Sequence, residues 1–272
     1  MKESCAVSFE LVAKSGVDGA SFTTLVGVEP TRVRRDPQQP QVWELTLKGP
    51  SPVNAGRVAN DLARDLLVRL SAAGWSRETW DRMSGVHATN VRFRFNFKSL
   101  LNFSYEFDLE VVRGLADLRA LIAFCHRDDR SDEMPMERFG TGSSPDEGCE
   151  VSLRISGEHF DADAATSQLG IEPSSRGRTR DGSKSFWLLD GTSRARNADE
   201  PIVDLLKRLP TKSGAWTSLS REHKVHVMVA FHVRQMTGHF DLDPATMSAL
   251  AECGCGLDAS FYDWGPGGAD LL

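Results

Sequence analysis

The chain contains the same five-residue phrase twice, and this repetition constrains its fold more than any other feature. Val26-Gly27-Val28-Glu29-Pro30 returns as Leu169-Gly170-Ile171-Glu172-Pro173, 143 residues later. A cysteine precedes each copy and a tryptophan follows it, each pair 144 residues apart: Cys5 and Cys149, Trp43 and Trp187. Similarity at a fixed long period indicates a tandem duplication. The sequence therefore predicts two similar domains.

Length and charge distribution agree with a division into two domains. A chain of 272 residues is long enough for two domains of ordinary size. We assign residues 1–126 to a first, diverged copy, 127–148 to an acidic Gly/Ser linker, and 149–272 to a second copy with a short C-terminal tail. Their net charges are +2, −4 and −4. The linker has few apolar residues and is predicted to be mobile or exposed.

Composition narrows the class of protein. Hydrophobic residues make up 40% of the chain and charged residues 26%, as in soluble globular proteins. No run approaches the ~18 apolar residues of a membrane span, and the N-terminus lacks the pattern of a signal peptide. Five scattered cysteines without a CxxC motif favour free thiols over a zinc site. We predict a cytoplasmic protein without membrane association, metal or cofactor, and no part is basic enough to predict nucleic-acid binding.

Hydrophobic periodicity gives both halves a similar order of strands and helices. In the first half, strands are predicted at residues 5–11, 42–47, 91–97 and 121–125, and helices at 19–26, 58–70 and from 109 onward. In the second half, strands are predicted at 149–155, 186–189, 225–233 and 257–262, and helices at 161–169, 199–209 and 244–252. Residues 103–107 also alternate, and are predicted to continue the 91–97 strand or to pair with it.

These patterns predict an α+β fold. Strands with one apolar face and helices with one apolar stripe form two-layer sandwiches. We expect two similar two-layer α/β sandwich domains in tandem, with mainly antiparallel sheets, related by a pseudo-twofold axis. The chain would then be a monomer with an internal pseudo-dimer, or a homodimer.

A basic loop follows each proline and provides the main candidates for binding. Arginine beside tryptophan is suited to hold a carboxylate, a phosphate or an acidic partner. A flexible, solvated loop explains the arginines at least as well, and the tryptophans are most simply core residues. The candidate binding residues are Arg34, Arg35, Trp43, Glu172, Arg178, Arg180 and Trp187.

Few residues suggest catalysis or metal binding. His226 and His232 share a strand face but lie roughly 20 Å apart, too far to hold one metal, so a solvated sheet face is favoured. Glu29 and Glu172 could act as an acid–base pair only if the two copies meet, and acceptance of loop hydrogen bonds is the simpler interpretation. The motifs GxGxxG, GxxxxGK[ST], GxSxG and HExxH are absent. No catalytic residue is predicted.

The second half resembles a known bacterial family. The resemblance rests on Phe160 to Pro173, on Arg178 in the basic loop, on Phe186-Trp187, and on Leu257 to Tyr262. These residues resemble domain-of-unknown-function family 4279 over most of residues 149–264, and the first half looks like a diverged second copy. The resemblance implies a small α+β domain and brings no catalytic residues with it. Some relatives resemble immunity or accessory proteins near toxin genes.

Three functional hypotheses follow. The first is a non-enzymatic protein-interaction module, for example an immunity protein, whose partner is another protein. The second is a small anionic-ligand-binding or sensor protein that uses the basic loops after Pro30 and Pro173. The third is an enzyme of unrecognised type that uses Glu172 and a histidine, and we favour the absence of enzymatic activity.

Overall fold

The structure is a computed structural model, and it describes most of the chain. The described residues are 4–13, 21–34, 41–50, 55–83, 88–98, 103–127, 148–191, 195, 197–233 and 238–263. The predicted linker and C-terminal tail lie almost entirely outside these ranges.

Strands and helices alternate in a similar order in the two halves. The first half contains β1 (Ser4–Ala13), α1 (Ser21–Val26), β2 (Arg32–Arg34), β3 (Val42–Pro50), α2 (Ala55–Ala72), α3 (Arg77–Met83), β4 (Ala88–Lys98), β5 (Phe103–Phe107), α4 (Leu109–Asp117) and β6 (Leu121–Arg127). The second half contains β7 (Gly148–Gly157), α5 (Ala162–Leu169), β8 (Ser175–Arg178), β9 (Ser185–Asp190), α6 (Asp199–Lys207), α7 (Gly214–Glu222), β10 (Lys224–Val233), β11 (Gly238–Leu242), α8 (Pro244–Glu252) and β12 (Gly256–Asp263).

The strands form two six-stranded sheets with matching order, which confirms the predicted α+β class and the two sandwich domains. The first sheet has the order β11-β6-β4-β1-β3-β2, and the second has the order β5-β12-β10-β7-β9-β8. Each sheet has one parallel pair, β4 with β6 and β10 with β12, and the other neighbours are antiparallel. The same arrangement in both halves gives the pseudo-twofold relation.

The two halves exchange one edge strand each. β5 comes from the first half but pairs antiparallel with β12, with Tyr105 opposite Ala259. β11 comes from the second half but pairs antiparallel with β6, with Phe240 opposite Phe124. The prediction that residues 103–107 continue or pair with the 91–97 strand was therefore wrong. Alternation identifies a strand but does not specify its partner.

Aromatic rings from both halves form one joint core beside the exchanged strands. The ring of Phe240 in β11 stacks on Phe124 in β6 and Phe231 in β10, with centroids 4.5 and 3.8 Å away. Tyr105 in β5 lies 5.1 Å from Phe124 and 6.0 Å from Phe261 in β12. α4 and α8 also pack against each other. The two sandwiches therefore share a hydrophobic core.

The repeated phrase ends a helix in both halves. Gly27 follows α1 and Gly170 follows α5, with φ values of 73° and 65°. Each glycine N–H donates 2.9 Å to the carbonyl of a threonine four residues earlier, Thr23 or Thr166. Only glycine adopts this left-handed conformation without strain, and the nearby proline prevents the helix from resuming. This local role explains why the phrase is present twice.

Two short helices were not predicted. α3 and α7 are mostly polar and bury only a few side chains, among them Trp80 and Trp216. Seven to nine residues are too few for a clear apolar stripe, so periodicity does not identify them. Of the described helices, none is long and apolar enough to cross a membrane.

Candidate functional site

The two tryptophans among the candidate residues lie in the hydrophobic core. Trp43 in β3 and Trp187 in β9 are fully buried. The Nε1 atom of Trp43 donates to the hydroxyl of Thr23 at 3.3 Å, and that of Trp187 to the hydroxyl of Thr166 at 3.1 Å. Both indole N–H groups are thus satisfied inside the protein, and neither ring offers a surface to a ligand.

The two threonines that accept these indole hydrogen bonds were not predicted from the sequence. Thr23 and Thr166 each stand four residues before the glycine of the repeated phrase. A position-by-position comparison of the two copies would have found them, because threonine occupies the same place in both. Their hydroxyls join the helix end to the tryptophan strand, so their role is structural.

Arg34 does not lie beside Trp43. In the β2–β3 pair, Val33 is opposite Trp43 and Arg34 is opposite Val42, so Arg34 and Trp43 project from opposite faces of the sheet. Arg34 instead reaches across to Glu10 in β1, with Nη2 2.8 Å from Oε1. Arg34 therefore does not form the contact with Trp43 that the binding interpretation of this loop required.

Glu10 is the centre of an arginine–glutamate cluster on the sheet face opposite the core, formed by Glu10, Arg34, Glu44, Arg92 and Arg94. The Nη2 atom of Arg94 lies 3.2 Å from Glu10 Oε2, and the Nη1 atom of Arg92 lies 3.9 Å from it. The Nε atom of Arg34 lies 3.4 Å from Glu44 Oε2. The Glu10 side chain is only 2% exposed, whereas the arginines are 24–36% exposed. One buried carboxylate thus lies beneath three arginines that reach the surface.

The charges in this cluster do not balance. Burial raises the pKa of Glu10, while the charges of Arg94, Arg34 and Arg92 oppose that rise. The Nε atoms of Arg92 and Arg94 are buried and have no hydrogen-bond partner among the described residues. Three guanidinium groups against two carboxylates leave an excess positive charge. The cluster can therefore attract an anion, although Arg34 is already occupied by two carboxylates.

The corresponding place in the second sheet has different chemistry. Arg154 in β7 stands 144 residues after Glu10 and is opposite His226 in β10, as Glu10 is opposite Arg92. The guanidinium carbon of Arg154 lies 5.1 Å from the centroid of the Phe186 ring, within the range of a cation–π contact. The residue at the place of Glu10 is thus basic, and its charge acts on the half-buried carboxylate of Asp258 in β12.

His226 is buried, so the predicted solvated position was wrong for this residue. Burial, helped by the charge of Lys224 and opposed by the charges of Glu106 and Asp108, lowers the pKa of His226 to about 4. Its Nδ1 atom has no hydrogen-bond partner within the described part of the chain. His226 is therefore neutral near pH 7.

The basic loop of the second half is an exposed hairpin. We call this segment, residues 174–184 at the edge of the second sheet, the basic hairpin; its cationic side chains are Arg176, Arg178, Arg180 and Lys184. Every residue in it is exposed except the half-buried Thr179. Arg176 pairs with Asp163 at 2.9 Å, and Arg178 donates to the Gly182 carbonyl at 3.4 Å. These contacts are at the surface and leave the positive charges accessible.

The turn of the basic hairpin is held by Asp181. Its carboxylate accepts hydrogen bonds from the Thr179 hydroxyl at 2.6 Å, the Ser183 hydroxyl at 2.8 Å and the Ser183 N–H at 3.1 Å. These bonds stabilise the charged form and lower the pKa of Asp181 to about 2. The carboxylate is therefore ionised at neutral pH and offsets one of the four cationic side chains, which leaves the hairpin with a net positive charge.

The seven candidate residues do not form one site. Arg178 and Arg180 share the basic hairpin, and Glu172 is exposed in the loop that leads to it. Arg34 belongs to the arginine–glutamate cluster of the other sheet, and Arg35 lies outside the described residues.

The described side chains offer little for metal or nucleophilic chemistry. No group of three or more His, Cys, Asp or Glu residues in the described ranges is placed to hold a metal ion. All five cysteines are free, and burial raises the pKa of Cys5 and Cys149 to about 12. A thiol with a raised pKa is a poor nucleophile at neutral pH.

Comparison with known proteins identifies a family over the second half. Residues 147–264 match the model of the family described as Domain of unknown function (DUF4279). The matched segment runs from just before β7 to the end of β12 and contains one copy of the domain. No curated protein and no solved structure matches the chain.

Proposed function

We propose that this protein is a non-enzymatic protein-interaction module, and that the basic hairpin binds an acidic segment of its partner. An immunity protein, which inactivates a toxin by binding it, is one form that such a module would take. The observation that carries the proposal is the hairpin itself, which exposes almost all of its residues while Asp181 fixes its turn.

Stability of the fold does not account for this hairpin. Its side chains bury little surface, so they add little to the hydrophobic core. A turn that is ordered before binding loses less entropy on association, and clustered cations accelerate the encounter with an acidic partner. β8 is also an edge strand, whose outer backbone groups can pair with an extended segment.

We also propose that the first half is a diverged second copy of the family domain. Matching strand order, the two left-handed glycines and the two tryptophan–threonine hydrogen bonds support this duplication. The module would act as a monomer with an internal pseudo-dimer. We place it in the cytoplasm, where its five free cysteines would stay reduced.

A small anionic ligand is the alternative, and the excess positive charge of the arginine–glutamate cluster favours it. In this alternative, the Nε groups of Arg92 and Arg94 lie beside the anion. Arg34, the predicted ligand-binding arginine after Pro30, is less available because Glu10 and Glu44 already hold it.

The test is a quantitative pull-down from host lysate with an Arg178→Glu/Arg180→Glu variant. Charge reversal should abolish capture of an acidic partner while the fold is retained, because both side chains are exposed. The matched control is Arg113→Glu/Arg221→Glu, which reverses two exposed arginines on helices of the two halves. Binding of the captured protein is then measured by calorimetry at low and high salt.

The outcomes separate the hypotheses. A stoichiometric protein retained by the wild type and the control, but lost with the hairpin variant, supports the proposal. A protein retained equally by all three proteins would place the interface elsewhere. If no protein is retained, the interaction hypothesis fails, and thermal-shift measurements with citrate and nucleotides then test the anionic-ligand alternative.

A further inference from the structure

A cleft of about 440 Å³ lies in the helical layer of the first half, away from the basic hairpin. We call it the helical cleft; it lies between α2 and α4 and is closed at one end by the residues that lead into α3. Its apolar lining includes Leu67, Val68, Leu70, Trp75, Val111 and Leu118. This volume falls within the range of sites for small molecules.

The rim of the helical cleft has two charged side chains without partners. Arg64 and Glu110 also line it, but they pair with each other at 3.3 Å. The side chains of Arg77 and Asp117 form no ion pair or hydrogen bond with any described residue, and they do not pair with each other. A cation and an anion therefore border the same apolar cleft while both remain available.

The corresponding place in the second half has a lysine where the first half has an exposed valine. Asn60 and Asp199 mark equivalent positions, because each accepts a hydrogen bond from the backbone N–H of the N-cap residue of α4 or α8. Eight residues further on, the first half has Val68 and the second half has Lys207. Val68 lines the cleft and is 62% exposed, the more exposed of two large apolar side chains that reach the surface in the described ranges. A lysine is the usual choice at such a surface position, so the apolar rim belongs to the first half alone.

A glycine lets the two helices of the cleft approach each other. A Cβ atom at Gly114 in α4 would lie 2.7 Å from Leu67 Cδ1 in α2. The residue six positions after the N-cap is Ala249 in α8, so the second half has a methyl group there. The close contact of Leu67 with Gly114 forms the apolar side of the cleft.

We propose that the helical cleft binds a small apolar zwitterion, of the class of free amino acids with an aromatic or branched side chain. The apolar side chain would cover the surface formed by Leu67 and Val68, beside the edge of Trp75. The carboxylate would pair with Arg77 and the ammonium group with Asp117. A purely apolar ligand would leave both charges unused, and a ligand with one charge would use only one of them.

The test measures binding to the full chain by calorimetry and by the fluorescence of the tryptophans, since Trp75 lines the cleft. The probes are L-phenylalanine, L-leucine, 3-phenylpropionate and phenethylamine. Two charge-assisted contacts should give L-phenylalanine an affinity at least about tenfold higher than that of either singly charged analogue. Equal binding of 3-phenylpropionate, or no binding of either amino acid, would overturn the proposal.

Variants locate the site. Arg77→Gln and Asp117→Asn should each weaken L-phenylalanine binding about tenfold, and Ser71→Phe, at an exposed position that lines the cleft, should block it. Arg69→Gln and Asp65→Asn are the matched controls, since they neutralise exposed residues of α2 that do not line the cleft. Undiminished affinity in the Arg77 and Asp117 variants would also overturn the proposal. The basic hairpin is unchanged in all of them, so the result is independent of the proposed function.

Discussion

The two sheets have the same strand order but carry opposite chemistry at the same place. In the first sheet, Glu10 lies buried beneath three arginines. In the second sheet, the corresponding Arg154 lies against Phe186 and beside a neutral, buried His226. The core-facing residues of both sheets remain apolar. The fold is thus set by one face of each strand, while the other face is free to change its charge.

Replacement of Glu10 should cause the largest loss of stability. Glu10→Ala removes the buried carboxylate that Arg34, Arg92 and Arg94 share, and should destabilise the protein by about 2–4 kcal/mol. Arg154→Ala at the corresponding place should cost about 1 kcal/mol, since it loses one cation–π contact. Urea unfolding measures both. Similar losses in the two variants would show that the sheets do not differ energetically at this position.

The next largest loss of stability is expected for Gly256→Ala, at about 2–3 kcal/mol. The new Cβ atom would lie 2.7 Å from the carbonyl oxygen of Phe107 in the exchanged strand β5, and 2.6 Å from His226 Nε2. The first sheet has Leu121 at the same register, so only the second sheet requires glycine here. The control is Gly214→Ala, where no atom lies within 4 Å, and thermal unfolding compares the two. An unchanged melting temperature in Gly256→Ala would contradict the close approach of β5 to Gly256.

The buried His226 should make stability depend on pH. Its pKa is about 4 in the folded protein, against roughly 6.5 in an unfolded chain. As the pH falls below about 6.5, the unfolded chain binds the proton first, so stability decreases until the pH nears 4. Between pH 7 and 4.5, wild type should lose about 2 kcal/mol more than His226→Gln. Parallel pH profiles of the two proteins would rule out this role.

The smallest expected change in stability concerns the residues that follow α4 and α8. Eleven residues after each N-cap, the first half has Arg119 and the second half has Gly254, with φ values of 47° and 70°. Gly254→Ala should cost about 1 kcal/mol, because only glycine adopts this conformation without strain. Arg119→Gly should stabilise by about 0.5 kcal/mol, even though an exposed ion pair with Asp81 is lost. The free energies of unfolding would contradict this comparison if both changes destabilised equally.

Local patterns predicted most elements but not how they assemble. Alternation identified β5, whereas its pairing with β12 depends on residues 150 to 158 positions away. Glu10 alternates with apolar neighbours and has the pattern of a solvent-facing residue. Arginines from β2 and β4 cover it, and no local pattern contains that information.

The candidate site was predicted in part. Exposed, charged residues such as Arg178 and Arg180 were placed at the surface correctly, because charge alone favours solvent. The helical cleft was not predicted, since it depends on the distance between two helices that Gly114 allows to approach. Burial of Trp43 and Trp187 was expected as the simpler interpretation, and their hydrogen-bond partners became visible only in three dimensions.

The exchange of edge strands has a kinetic consequence. β5 meets β12 across a separation of 158 residues, from Phe103 to Phe261, and β11 meets β6 across more than 100 residues. Chain entropy opposes such distant contacts, and proteins rich in them fold slowly. The first sheet cannot acquire β11 until the second half has been synthesised, whereas the second sheet takes β5 from the half that is made first. The second half therefore completes the first, and a nascent chain that stopped before β11 would expose the open edge of β6.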